Sequence, residues 1–425
     1  MLIRDNVYPS RTLYKNDILY QFHNSVADLP TQIALELLST GEYAALNNPE
    51  TDKQSISDRP LKFNPSSWSL DKKLILETPL DFHNGYGKSG RMMAEALSDV
   101  CDLYVIGSQT VDSPSEKLKK ILSKRTSDFD SFYIKYSPAD SLKPLAERMI
   151  PFTMFECTRI PFTQQINDYA ERCLVPCKAN KRDFIDSGVT RDIEVIALGI
   201  IPENYPLLER DETEEFIFGM EGTLTFRKGV DLAIKAFKEA FPKDKYPKVG
   251  LYIKTTANGG IYYKKEADED PRITLNIEWV SEQELLHSFY KQIDAYLFLS
   301  RGEGFGMTTI QAMSTGLPVI ATMCGGLEDH INNNVAYPVK VNLVDVPNRY
   351  SDGRICPYGY PENLQADGQQ WWEADIKDAV RQMRNVYEER DKAKRKGLVA
   401  HEYIKNNYDV KFTAQKIINY LNKKF

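Results

Sequence analysis

An alternation constrains this chain most. From Lys72 onward, short apolar runs alternate with segments whose apolar residues recur at helical spacing, and they do so in two series. The first series reads "KKLILET", "DLYVIGS", "SFYIKYS", "PFTMFEC" and "ERCLVPC", with the helical "GRMMAEALSDV" between its first two members. The second reads "FIFGMEG", "VGLYIKT", "ITLNIEW", "AYLFLS" and "PVIAT". Apolar strands separated by crossover helices pack as parallel sheets, so this order predicts an α/β chain with two Rossmann-like, doubly wound domains. Between the series, "PENYPLLERDETEEF" carries prolines and a run of acids, which sets a boundary near residues 202 to 214. Two such domains facing each other make a central cleft at the carboxyl ends of their strands, where open α/β sheets bind ligands.

The expected division is a first large domain over residues 71–205, a second over 206–400 and a closing helical segment over 401–425. Residues 1–70 read as a small β/α appendage and linker. "DILYQF" has strand character, "DLPTQIALELLSTGEY" is a helix opened near Pro30 and closed by Gly41, and "NNPETDKQSISDRP" is polar linker chemistry. The C-terminal stretch from "WWEADIKDAVRQMRNVYEERDKAKRKG" to "IINYLNKKF" is helical by its spacing.

Charge and composition exclude several classes. Lys and Arg number 54 against 60 Asp and Glu, a net charge of −6, which argues against a general polyanion-binding surface and against long DNA as a partner. No run approaches the roughly 20 consecutive apolar residues of a membrane helix, and the start, "MLIRDNVYPSRTLYKND", lacks the apolar core of a secretory signal; the expected location is the cytoplasm. The six cysteines are scattered, Cys173 and Cys177 lack CxxC spacing, and the five histidines form no paired ligand motif, so neither a built-in metal nor a cofactor is expected. Oligomeric state is not readable.

The chemistry concentrates in "LFLSRGEGFGMTTIQAMSTGLPVIATMCGG". A buried strand ends at Ser300, Gly302, Gly304 and Gly306 open the turn to close backbone approach, and "MTTIQAMSTG" follows as a helix whose start offers free N–H groups to an anion. The next strand ends at Gly325 and Gly326, a second turn of the same kind. Two anion-friendly turns on neighbouring strands suit a diphosphate. Glu303 between the glycines repels phosphate but accepts hydrogen bonds from sugar hydroxyls.

These residues resemble the donor-site signature of the retaining GT-B glycosyltransferases of the large family 4 type, which includes sucrose synthases and bacterial mannosyltransferases. "EGTLTFRKGVDLAIKAFKEAF" and "SFYKQIDAYLFLSRGEGFG" are similar to that family's approach to the signature, and "DFHNGYGKSGRMMAEAL" to its glycine loop. "FTMFECTRIPFTQ" and "LVPCKANKRDFIDSGVTRDIEVIALGI" follow its interdomain pattern, so the likeness covers residues 72–425. The resemblance implies transfer of a hexose from a UDP- or GDP-linked sugar, without a metal, to a hydroxyl of a glycan or glycoconjugate. It assigns Lys228 and Arg227 to the diphosphate, Glu303 to the donor sugar, and the backbone of Gly304, Phe305, Gly306 and Met307, with Thr308, to the phosphate turn. Two positions depart from the pattern: Thr223 stands where an arginine is common, and Gln311 where a ribose-binding glutamate is common. From the first large domain the resemblance brings the backbone of Gly85, Gly87 and Gly90, with Lys88, toward the donor phosphates across the cleft, and places Glu156, a catalytic candidate beside Lys228 and Glu303, with Arg159 on the acceptor side near the reacting centre; His83 is read as a loop or packing residue. It also implies that the final helix crosses back to the first domain, making Phe412, Ile417, Ile418 and Leu421 core contacts. A catalytically silent GT-B subunit, a sugar-nucleotide epimerase and a transferase acting on a modified nucleic-acid base remain open alternatives.

Overall fold

The computed structural model describes residues 73–81, 85–107, 114–125, 132–138, 141–142, 149–170, 172–210, 213–223, 225–255, 263–346 and 368–424, together with the backbone of five short strands within the first 45 residues. The chain divides into two compact units, Met1–Lys62 and Phe63–Phe425. In the first, β1 (Leu2–Asp5) pairs antiparallel with both β4 (Val26–Asp28) and β5 (Tyr43–Ala45), while β2 (Thr12–Lys15) and β3 (Ile18–Gln21) form a hairpin. The strand expected at "DILYQF" is β3; the interior of the expected helix after Asp28 lies outside the described residues.

The second unit is built on two six-stranded parallel sheets, the architecture of the GT-B fold. The first sheet contains β6 (Lys73–Glu77), β7 (Asp102–Ile106), β8 (Phe132–Tyr136), β9 (Met149–Phe152), β10 (Arg172–Val175) and β11 (Asp192–Val195), in the order β11-β10-β9-β8-β6-β7. The second contains β12 (Phe216–Glu221), β13 (Val249–Lys254), β14 (Ile273–Asn276), β15 (Ala295–Phe298), β16 (Val319–Thr322) and β17 (Tyr337–Val339), in the order β14-β13-β12-β15-β16-β17. Central strands β8, β15 and β16 are buried along their whole length, as parallel strands covered on both faces must be. Helix Val230–Ala240 covers the second sheet through Val230, Ala233, Ile234, Phe237 and Ala240, the periodicity of one helical face.

Four sequence expectations change here. The strand expected at "PFTMFEC" is Met149–Phe152, and the residues after it leave the sheet. "GYGKSG" is not a loop: helix Gly85–Leu97 begins at Gly85. "WWEAD" is not helical but belongs to β19 (Gln370–Ala374), which pairs antiparallel with β18 (Val341–Asp345); Trp371 and Trp372 are buried there, and Asp375 caps the helix that follows, Ile376–Glu388. Finally, helix Val410–Lys424 packs against helix Gly85–Leu97 with Ile417, Ile418 and Leu421 buried, but Phe412 is 43% exposed because it lies on the opposite side of the helix. Among the described residues no helix is long and apolar enough to cross a membrane.

His330 sets an acid limit on this fold. It is fully buried, its Nε2 lies 2.7 Å from Thr309 Oγ1, and its ring packs against Phe305 and Tyr408. Burial, opposed only by Glu303, depresses its pKa from 6.5 to about 3. The unfolded chain therefore takes up a proton as pH falls through 6.5 that the native chain refuses, and stability is lost with acid across that window. At pH 5 the loss relative to pH 7 is roughly 2 kcal/mol from this residue alone. His330→Gln should remove that increment, read as the difference between urea unfolding curves at the two pH values; equal acid sensitivity in both proteins would exclude His330 as its source.

Candidate active site

In the second sheet, β12 and β15 are neighbours although two strands separate them in sequence, so the chain leaves their carboxyl ends in opposite directions. This is the crevice where doubly wound sheets hold ligands. The connection after β12 carries the turn Phe226–Lys228, closed by Gly229 at φ 71°, and the connection after β15 carries Ser300–Gly306. Gly229 is obligatory at that turn, since a Cβ there would overlap the carbonyl oxygen of Leu299 as well as occupy a left-handed backbone.

The two connections join through charge. Lys228 Nζ donates to both oxygens of Glu303, at 2.7 and 2.9 Å. Arg227 Nη1 donates to the Gly302 carbonyl and lies 3.3 Å from Glu303 Oε1, while its Nη2 is 3.6 Å from Glu156 Oε1. The Ser300 hydroxyl donates to Glu303 Oε1 at 2.7 Å. Burial opposes ionisation of Glu303, but Lys228, Arg227 and Ser300 together outweigh it and hold the carboxyl below its ordinary range. Burial, aided by the neighbouring Arg227 cation, holds the Lys228 ammonium below its ordinary range against the pull of Glu303. The result is a cluster of two cations and two carboxylates in which the Lys228–Glu303 pair is withdrawn from water and its attraction is stronger than it would be in solvent, while Glu156 keeps a partly exposed side chain.

Thus Lys228, Arg227, Glu303 and Glu156, far apart in sequence, meet. Other expected site residues do other work. Gly302 and Gly304 pack against protein: a Cβ on Gly302 would overlap the Glu156 carbonyl oxygen, and one on Gly304 would lie 2.5 Å from Met154 Cγ. The turn at Gly325 and Gly326 is not an open anion site, because the Gly325 amide donates to Glu328 Oε1 at 3.1 Å and the Gly326 amide to the Glu303 carbonyl at 2.7 Å. Gly87 and Gly90 bring helix Gly85–Leu97 close against the backbone of Asp81 and Pro79 and the side chain of Thr78. Lys88, half-buried on that helix, has no hydrogen bond or ion pair with the Lys228–Glu303 cluster among the described residues, and His83 lies outside them. Arg159 is exposed, and its backbone carbonyl accepts from Gln369 Nε2 at 2.9 Å. Phe305 is a core residue, Met307 opens helix Met307–Ser314, and Thr308 sits beside Tyr296. Thr223 is exposed.

Gln311 is buried on that helix, and its Nε2 donates to the Tyr205 hydroxyl at 2.8 Å; Tyr205 in turn donates to Glu282. Its amide thus ties the interdomain connection to the second sheet. Gln311→Ala is expected to cost about 1–2 kcal/mol of folding stability, read as a lower urea midpoint at unchanged m-value. A wild-type midpoint would show that the bond holds nothing.

Sequence reasoning missed Ser300, Arg301 and the residues that join the two sheets beyond the carboxyl ends of β10 and β15. Cys177 Sγ lies 3.4 Å from the Gly304 carbonyl oxygen, the Lys178 amide donates to Asp329 Oδ2 at 3.0 Å, and Arg182 pairs with Glu328 at 3.2 Å. No motif marks these, because each partner lies more than 120 residues away.

Residues 208–349, which carry Arg227, Lys228, Glu303 and Gln311, match the family described as Glycosyl transferases group 1. That stretch is similar to group 1 glycosyl transferase domains. The chain is 26% identical over 182 residues to an uncharacterized glycosyltransferase 335 of Sulfolobus islandicus rod-shaped virus 1, covering 39% of this chain and 52% of that one. It is 28% identical over 123 residues to the lipopolysaccharide core biosynthesis mannosyltransferase LpsB of Rhizobium meliloti, covering 28% and 34%. The chain therefore spans between about a third and a half of the length of these curated relatives. Among solved structures, Anabaena Alr3699/HepE in complex with UDP and glucose superimposes with a TM-score of 0.55 at 13% identity over 83% of this chain and all of that one, a likeness of fold.

Proposed function

We propose that this protein is a retaining glycosyltransferase that moves a hexose from a UDP- or GDP-linked sugar to a hydroxyl of a glycan or glycoconjugate, without a divalent ion. The observation that carries the reading is the Lys228–Arg227–Glu303 cluster, built at the crevice between β12 and β15 inside the stretch similar to group 1 glycosyl transferase domains. As the bond from the anomeric carbon to the diphosphate lengthens, negative charge grows on the leaving phosphate oxygen, and cations fixed beforehand stabilise that state more than the ground state. Lys228 and Arg227 are such cations. Glu303, kept ionised by them, accepts hydroxyl hydrogen bonds from the sugar, and Glu156, on the opposite sheet's loop, lines the acceptor side. The acceptor's proton passes to the departing phosphate oxygen on the same face, so no pair of flanking acids is required, unlike in a retaining hydrolase. With one amide hydrogen engaged by Tyr205, Gln311 keeps its amide oxygen to accept a hydrogen bond from a ribose hydroxyl.

The test incubates the purified chain with UDP-glucose and GDP-mannose, with and without chelator, and measures released nucleotide and the anomeric configuration of the product. Release that survives chelation, with retained configuration, is the expected result; release restored only by magnesium or manganese would remove the metal-free mechanism. Gln311, standing where a ribose-binding glutamate is common and bonded to Tyr205, favours one competing reading, a binding subunit without activity. Donor binding with no nucleotide release would establish it.

A further inference from the structure

Arg301 is a charged side chain with 2% exposure, adjacent to the glycine-rich turn. Its guanidinium donates to Asp231 Oδ1 and Oδ2 at 2.8 and 2.7 Å, to Glu373 Oε2 and Oε1 at 2.6 and 3.2 Å, and to the Phe226 carbonyl at 2.6 Å. It also stacks over the Phe226 ring at 3.7 Å. Its backbone completes the knot, the amide donating to the Arg227 carbonyl at 2.6 Å and the carbonyl accepting from the Trp372 amide at 2.8 Å. Phe226 and Arg227 belong to the turn that presents Lys228, and Arg301 itself stands two residues before Glu303. One planar fork therefore sets the position of both halves of the cluster, a role that lysine's single point charge cannot fill.

The hairpin β18–β19 enters the site through this fork. Glu373 lies on β19, as does Gln370, whose amide donates to Thr158 Oγ1 and whose carbonyl accepts from the Thr158 amide, both at 3.0 Å. Thr158 is two residues from Glu156. The same strand thus holds the loop of Glu156 on one side and Arg301 on the other.

We infer that Arg301 and Glu373 are positioning residues for the Lys228–Glu303 pair, which makes β19 a working part of the donor site. This rests on the transferase reading for its kinetic consequence but not for its geometric one. Loss of the Glu373 carboxylate leaves the guanidinium held by Asp231 and Phe226 without its anchor on β19, and loosens the turn that presents Lys228.

Arg301→Met leaves two carboxylates unpaired and endangers folding, so the decisive variant is Glu373→Gln, whose side chain is about one-third exposed. Acylation of Lys228 by a small N-hydroxysuccinimide ester, followed by mass spectrometry in folded protein, reads the turn directly. Lys228 should label several-fold faster in Glu373→Gln, while Glu373→Asp should return to near the wild-type rate. In the nucleotide-release assay with UDP-glucose and GDP-mannose, the same variant should lose about tenfold in kcat with little change in KM, the signature of misplaced rather than lost contacts. An unchanged Lys228 labelling rate in folded Glu373→Gln overturns the inference. If the wild type releases no nucleotide, the transferase reading fails, and the labelling experiment still decides the positioning role.

Discussion

Lys228→Ala is expected to reduce donor turnover by about 10²- to 10³-fold, the scale seen when one preorganised partner of a developing anion is removed. It should also weaken the fold. Only 17% of the Lys228 side chain is exposed, and it neutralises a Glu303 that is only 5% exposed. Removing one member of a buried pair leaves the other uncompensated, at a cost of up to about 3–5 kcal/mol, reduced here by Arg227 and Ser300. Burial then favours the protonated form of Glu303, so the deficit should shrink as the pH is lowered. The two effects separate in a double-mutant cycle: Lys228→Ala with Glu303→Gln should recover much of the stability while turnover stays lost. Urea unfolding and nucleotide release on the four proteins decide it. Additive stability losses would mean that the pair is not coupled, and normal turnover in Lys228→Ala would remove it from the chemistry.

Gly302→Ala is expected to abolish most activity by steric means alone. A methyl at that position would overlap the Glu156 carbonyl oxygen, a backbone atom that cannot rotate aside, and the loop of Glu156 is fixed further by Thr158 against β19. The contact can be relieved only by moving the two loops apart, which carries Glu156 away from Arg227 and Glu303. A shift of about 1 Å at reacting groups costs on the order of 10²-fold in rate. The two sheets themselves do not depend on this contact, so far-ultraviolet circular dichroism should be unchanged. Wild-type kcat in Gly302→Ala would show that the loops need not meet as closely as they do here.

The sheets were legible in the chain because their signal is local. Runs such as "AYLFLS" and "PVIAT" are buried on both faces, and an apolar run of that length between helical segments admits few packings. The hairpin was not legible: "WWEADIKDAV" reads as one helix, yet Trp371 and Trp372 are held extended by pairing with residues some thirty positions upstream, and no local pattern reports a partner at that distance. Phe412 was misread for a related reason, since helical spacing identifies an apolar side but not how far it extends around the helix.

The same division runs through the site. Glycines at 302, 304, 306, 325 and 326 announce in sequence that backbone must come close to something. They do not say to what, and for Gly302, Gly304 and Gly326 the structure answers with other backbone and side chains of the same protein. Charge type beside a strand end nominated Glu303, while Lys228, Arg227 and Glu156 were nominated by the resemblance to the family's pattern. Their meeting within ion-pair distance was decided by the strand order that makes β12 and β15 neighbours and by the close approach of the Glu156 loop to Gly302. The burial that shifts Glu303 and Lys228 from their ordinary ionisation, and the Arg301 fork that holds them, exist only once those segments are packed, because desolvation and long-range pairing are properties of the folded neighbourhood and not of any residue in it.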